Sequence, residues 1–437
     1  MCVPLTISKN HSDKEKAMIG RLIVAVSFTV ILANGFAAEV PVDTIITGAN
    51  IVAISDSTFE GHRIGDMIAP VYVELIKSSG MTIRLGPSKP YEVDPRMVAL
   101  TKAHAPQVRL TEQGKVTNFV GGIPFPALSL TDPQAGRKLA YNIVYSGFLG
   151  DVLDWPSIMF VMVDGGKGYL RKIDYKFALY QMIGRKTPPA IEGDGTIRSL
   201  TTLIATQPTD VRGIGVFSIR YADGRLDDIY AYLRSVRRFR RLSGGAWYDP
   251  VQGSDFLGDE TSNGLNGDPS WYKAFRLIGK RTMLFPESEQ TSYYRPNGKG
   301  LAEQFPFIAI TDPPFWNSKD PKEIWRPREV YVVEVTPPDG YPMSRKVIYV
   351  DTNMYIPIVY MEEGYDLKGA LWHIYTNSVN RTRAEDGSPT LNPIFARLID
   401  VQRRTATLLP GGSGRKVNPV GVTSADFNLE AVRKLIE

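Results

Sequence analysis

Five arginines, Arg234, Arg237, Arg238, Arg240 and Arg241, crowd eight positions. Guanidinium forks match carboxylates and phosphates, so this run suits a lipid headgroup or an acidic partner. On a strand, alternation puts Arg238 and Arg240 on one face and Arg237 and Arg241 on the other. The competing reading is a solvated hairpin end that pairs with Asp249, Asp255, Asp259 and Glu260. Gly253-Ser-Asp-Phe256 has the outline of a nucleophile turn, but it lacks the Gly-x-Ser-x-Gly form and has no histidine nearby. Asp255 is instead expected to pair with the arginines and orient the loop. Trp247, Trp271, Trp316 and Trp325 fall close to Tyr248, Tyr272, Phe275 and Phe315. Such aromatics line an apolar pocket, or pack as a satellite core under long loops. Tyr230, Tyr232, Arg238, Arg240, Trp247, Asp255, Phe256, Trp271 and Phe275 form the candidate ligand-binding set. No catalytic residue, metal or cofactor is expected.

Metal chemistry has little to work with. Beyond residue 37 the histidines are His62, His104 and His373, too far apart for zinc-ligand spacing. No Asp-x-Asp-x-Asp-Gly calcium loop is present. The one cysteine is Cys2, so a chain cut after Ala37 has neither a thiol nucleophile nor an internal disulfide.

The N-terminal segment explains that cut. Arg21, an apolar run from Leu22 to Leu32 and small residues at Gly35 and Ala37 have the layout of a secretory signal. The run falls short of the roughly 20 residues that a membrane-spanning helix needs. Cleavage is expected after Ala37, or else after Ala38. The polar stretch before Met18 is an extension, or Met18 is the initiator. With no cysteine after the apolar run, a lipid anchor has no attachment point, and a periplasmic protein is expected. Hydrophobic content of 43% and charged content of 22% are ordinary for a globular chain. The net charge is +5 overall and near +3 beyond residue 37, too weak to argue for nucleic acid.

The elements that must position these residues are mostly strands. Residues 50–105 read as helix and loop, with an imperfect helix over Ile64–Ser78 interrupted at Pro70. Asp132-Pro133 predicts a helix start, and Ala135, Leu139 and Ile143 share its face. Val108–Leu110 and Val116–Phe119 predict short strands about a Gln113-Gly114 turn. Ile158–Val163, a glycine-rich turn and Tyr169–Met182 predict a hairpin. Strands are expected at Ile197–Ala205, Gly215–Tyr221 and Asp228–Leu233, and again at 329–335, 345–351, 355–361, 371–376 and 403–408. Residues 244–327 read as a loop-rich, aromatic-rich insertion. Ser424 is expected to cap a C-terminal helix. The fold class is α+β, mostly antiparallel: one large domain over 38–437, with a curved sheet or half-open barrel wrapped over a few helices.

Three stretches carry a family resemblance. They are Val120-Gly-Gly-Ile-Pro-Phe-Pro126 with Asp132–Arg137, then Asp227–Ser243 with Gly253–Phe256, then Glu329–Asp351 with the tail Thr423–Leu435. Together they resemble the bacterial exported family called domain of unknown function 1329, described as outer-membrane lipoprotein-sorting-like. The resemblance implies a LolA/LolB-like curved sheet open to apolar ligands. It also implies company with an inner-membrane efflux transporter of the resistance-nodulation-division (RND) type and an outer-membrane protein. One departure stands out. Where the carriers open the second motif with aspartate and tryptophan, Ile229 and Tyr230 follow Asp228 here, and Tyr230 and Tyr232 keep the aromatic role. The expected function is a periplasmic carrier of a hydrophobic, lipid-like ligand linked to export to or through the outer membrane. The rivals are a non-catalytic adaptor of an efflux system and a hydrolase with a raised carboxyl pKa in a cleft.

Overall fold

The computed structural model describes residues 38–233, 237–242, 246–261 and 264–436. The signal-like segment and residues 234–236, Arg234 among them, lie outside the described residues. From Val152 onward the chain builds a sheet of fourteen strands. They are β1 (Val152–Asp164), β2 (Gly168–Gln181), β3 (Ile197–Gln207), β4 (Gly215–Tyr221), β5 (Asp228–Leu233), β6 (Arg238–Arg241), β7 (Ala274–Ser288), β8 (Glu323–Thr336), β9 (Met343–Asp351), β10 (Val359–Asp366), β11 (Leu371–Arg383), β12 (Pro389–Asp400), β13 (Thr405–Pro410) and β14 (Lys416–Val417). The longer helices are α1 (Pro70–Ser79), α2 (Pro95–His104), α3 (Ala135–Tyr145) and α4 (Leu429–Ile436).

The spatial order is β6-β5-β4-β3-β2-β1-β13-β12-β11-β7-β8-β9-β10, with β14 beside the start of β1. Strand β10 also pairs with β11, and β7 meets β11 through the parallel pair Glu287 and Val379. Strands β7 to β11 thus close into a ring, and the other strands extend from it as an open arm. Glu287 holds this seam: its carboxylate meets Arg326 and Arg328 of β8 and Arg381 of β11. Burial alone would raise its pKa, but Arg328 and Arg381 outweigh that and hold it below the usual carboxylate range.

Much of both faces of the ring is buried, although the first half of β7 is exposed on its outer side. On one face Val330, Val332, Tyr349 and Met361 pack with Tyr72 and Ile76 of α1. On the other, Val333, Val335, Ile348 and Val350 pack with Leu139 and Ile143 of α3. Gly136 permits the approach of α3, since a Cβ there would lie 2.6 Å from the Phe275 carbonyl oxygen. Among the described residues no helix is long and apolar enough to cross a membrane.

The mostly antiparallel α+β expectation holds, and several elements differ in detail. The expected helix over 64–78 is two pieces, Ile64–Met67 and α1, with Pro70 at the first position of the second piece. The segment expected to be loop-rich contains the fifteen-residue β7, whose Arg276, Lys280 and Arg281 face outward and mask its pattern. Strand β12 was not expected at all; Pro393 interrupts its alternation at a bulge opposite Ser378 and Val379. The C-terminal cap is a box between Thr423 and Asp426 around a short 3₁₀ turn, rather than Ser424.

Candidate functional site

The nine candidate residues do not form one site. Trp247 and Phe275 are buried, and Trp247 lies within 5.7 Å, ring to ring, of Tyr248, Trp271, Tyr272 and Tyr341. Phe256 is buried between Phe160 and Tyr375. These rings fill space. Asp255 does not pair with the arginines as expected. Its carboxylate accepts hydrogen bonds from the Thr405 and Thr407 hydroxyls, at 2.7 and 2.8 Å, and pins residues 250–257 to β13. Tyr230 and Tyr232 lie on one face of β5, Tyr232 edge-on to Phe239 with ring centroids 5.1 Å apart. Arg238 and Arg240 are exposed on the edge strand and project to the opposite face.

The two faces of the open arm differ. The face with Tyr230, Phe217 and Tyr180 is covered by the C-terminal segment through Phe427, Val432 and Ile436. On the other face the strand register aligns a lateral row: Trp155 opposite Phe177, then Leu203, Val216, Ala231 and finally Arg240. A parallel row runs Leu153, Leu179, Thr201, Ser218 and Ile229. Trp155, Phe177, Leu179, Leu203, Val216 and Ile229 are all half-buried, neither sealed into a core nor fully in water. At the usual strand spacing, six strands span about 24 Å. Arg220, Asp227 and Trp271 flank the rows on one side, and Tyr175, Val251 and Phe256 on the other. Trp271 and Phe256 therefore border this strip.

The local sequence explains the geometry. Strict alternation in Gly215–Tyr221 sends Val216 and Ser218 to the open face and Phe217 and Ile219 to the covered one. Pro156 sits in a bulge between Trp155 and Ile158, where a missing N–H costs nothing, and the bulge sets Trp155 opposite Phe177. Beyond β13 the chain runs Pro410-Gly-Gly-Ser-Gly-Arg415 between β12 and β1. The Gly411 N–H donates to the Ile394 carbonyl at 2.7 Å, and a Cβ on Gly412 would lie 2.7 Å from the Ser157 carbonyl oxygen. This path carries the Arg415 guanidinium to 5.6 Å from the Trp155 ring.

A second charged cluster lies sealed beneath the insertion. Lys346 donates to Asp259 and to the Gly264 carbonyl, both at 2.9 Å, and meets Glu362 at 3.0 Å. Asp259 also accepts from Tyr272, from Tyr341 and from the N–H groups of Asn266 and Gly267. Glu260 pairs with His373 Nδ1 at 2.8 Å. Burial would raise Asp259, but Lys346 and these donors outweigh it and hold the carboxyl low. Burial pushes Glu362 well up, offset only in part by Lys346. A raised carboxyl is what a hydrolase would need, yet Lys346, Asp259, Glu260 and Glu362 are each 0% exposed. The cluster ties Leu257–Glu260 and Gly264–Gly267 to the ring and is sealed from solvent. Among the described residues no group of three or more histidine, cysteine or carboxylate side chains is arranged for a metal ion. A cavity of about 240 Å³ beside the Glu287 seam is lined by Lys89, Lys322, Arg326 and Arg381, a polar wall unsuited to an apolar guest.

Sequence reasoning missed Trp155, Phe177, Leu203 and Arg415. Alternation marks the first three as facing one way, but only the register shows that they align. Arg415 carries no local signal.

Comparison with known proteins supplies the remaining context. No protein with a curated description matches the chain. A crystal structure of a putative outer membrane lipoprotein-sorting protein domain from Vibrio parahaemolyticus is similar at 18% identity, covering 65% of this chain and 92% of that one, with a TM-score of 0.41. A family protein from Desulfovibrio piger is similar at 19% identity, covering 69% and 100%, with a TM-score of 0.46. A LolA superfamily protein from Nitrosomonas europaea is similar at 12% identity, covering 68% and 98%, with a TM-score of 0.39. The family model described as "Protein of unknown function (DUF1329)" matches residues 46–433, nearly all of the described chain, and the protein belongs to that family.

Proposed function

We propose that the protein binds a hydrophobic, lipid-like molecule on the open face of the sheet arm and carries it outside the cytoplasm without chemical change. The observation that supports this most is the row Trp155, Phe177, Leu203 and Val216, only half-buried on one face while the C-terminal segment covers the other. An apolar strip left partly open in an otherwise well-covered sheet is a binding surface in search of a guest. The signal-like N-terminus supports a periplasmic location, and there the carrier would serve traffic toward the outer membrane.

Magnitudes narrow the guest. A fully buried methylene contributes about 0.8 kcal/mol. Micromolar affinity requires about 8 kcal/mol. A chain lying on one open face buries about half of each methylene, so apolar contact alone would need roughly twenty of them. A long chain, or a shorter one with a polar anchor, fits that requirement.

The test is extraction. Protein expressed with its own N-terminal segment and purified from the periplasm is extracted with organic solvent, and the extract is identified by mass spectrometry beside a Phe177→Asp variant. A stoichiometric apolar molecule, lost in the variant, supports the proposal. An empty wild-type protein that takes up no lipid when offered vesicles overturns it and leaves a protein-binding adaptor as the alternative.

A further inference from the structure

We infer that the ligand is an amphipathic oxyanion, a carboxylate or phosphate monoester on an apolar chain, with its headgroup held by Arg415 at the Trp155 end of the strip. This rests on the carrier reading and adds to it the class of headgroup and the residue that holds it.

The argument begins with missing partners. Buried polar groups in proteins are almost always hydrogen-bonded, and each exception needs a reason. Arg415 Nε and Nη2 and Trp155 Nε1 are all enclosed, and none has an acceptor. Among the described residues Arg415 makes no ion pair; its guanidinium lies over the aromatic ring of Trp155, 5.6 Å from the centroid. Two guanidinium donors and an indole N–H on neighbouring side chains, none with an acceptor, suit an oxyanion. Burial without a counter-charge also pushes the Arg415 pKa down to about 10, which reflects the cost of holding this cation unpaired.

The placement is built rather than incidental. Two glycines of the 410–414 run pass close against the backbone of β12 and β1, and Gly414 takes a left-handed φ of +87° immediately before Arg415. Trp155 then begins the apolar row that crosses to Val216 and Ala231. A headgroup at Arg415 therefore leaves its chain lying along that row. Arg238 and Arg240, at the far end, are exposed, and water and salt screen their attraction. The enclosed guanidinium is the stronger anchor, because charge-assisted bonds strengthen as water is excluded.

The experiment uses the full mature chain and three probes of equal length: dodecanoate, dodecyl phosphate and dodecanol. Binding to wild type, Arg415→Gln, Arg415→Lys and Arg240→Gln is measured by calorimetry. In wild type at least one of the two anions is expected to bind roughly ten- to a hundredfold more tightly than the alcohol, and which one identifies the headgroup. Arg415→Gln is expected to reduce that anion to the affinity of the alcohol, leave dodecanol unchanged and hold the urea midpoint at or above that of wild type, since it breaks no ion pair and removes an unpaired cation. Arg415→Lys is expected to keep part of the preference. Equal binding of all three probes to wild type overturns the anchor alone. So does an anion preference that survives Arg415→Gln or vanishes in Arg240→Gln. Failure to bind of all three probes and of their analogues with chains of about twenty carbons overturns the carrier reading, and the anchor with it.

Discussion

Replacing Glu362 by glutamine is expected to stabilise the protein at neutral pH, by an amount that grows as pH rises. Glu362 is 0% exposed, and among the described residues neither carboxylate oxygen has a well-aligned hydrogen-bond partner; its ion pair is with Lys346 at 3.0 Å. Burial raises its pKa well above the ordinary value, whereas in the unfolded chain it ionises near pH 4.3. Between those two values, folding must take up a proton. A group with a raised native pKa gives its full stabilisation below the unfolded pKa and loses it as pH climbs toward the native pKa. One proton corresponds to a slope of about 1.4 kcal/mol per pH unit. Glutamine keeps the shape, binds no proton and removes the slope. Lys346→Met is expected to behave in the opposite way and cost about 3–5 kcal/mol, because it leaves the low-pKa carboxylate of Asp259 buried without its cation. Urea unfolding of wild type and both variants, from about pH 5 to about pH 8, isolates the Glu362 contribution as the difference between wild type and Glu362→Gln. The reasoning fails if that difference is flat with pH, or if Glu362→Gln loses several kcal/mol at neutral pH.

Two further outcomes follow from the same structure. Glu287→Gln leaves Arg328, Arg326 and Arg381 without their shared carboxylate at the seam of the ring and is expected to cost about 3–5 kcal/mol; because the Glu287 pKa is depressed, the wild-type advantage should be present at neutral pH and fade as pH falls through the native pKa, as urea midpoints will show. Asp255→Ala removes both threonine hydrogen bonds and is expected to cost about 1–3 kcal/mol, with faster hydrogen exchange confined to residues 250–257.

What could be read from the sequence followed the range of the interactions. The β1–β2 hairpin, strand β4 and helix α4 declare themselves, because alternation, a glycine turn and a 3.6-residue stripe are local signals. Strand β7 does not, since Arg276, Lys280 and Arg281 face water and Ile278 sits in a bulge. The aromatics of 247–275 were visible as a group, and the cluster of Trp247, Trp271, Tyr272 and Phe275 exists. Its role as packing depends on the Tyr341 ring and the buried Lys346, both far downstream in the sequence. The binding strip is less legible still. Trp155 and Ala231 share a row only after four successive strand registers are fixed. Arg415 reaches Trp155 only because β13 and β14 both pair with β1. Those are properties of the sheet's topology, which no local pattern encodes.

The most direct test of the binding face is to locate the ligand. A dodecanoic acid bearing a diazirine at its chain end is bound to the mature protein and photolysed, and the labelled peptides are mapped by mass spectrometry. The account predicts labels on the peptides carrying Phe177, Leu203 and Val216, competed away by unlabelled dodecanoate. Saturable labelling concentrated instead on the 247–275 aromatic cluster, or on the face beneath α4, would contradict it.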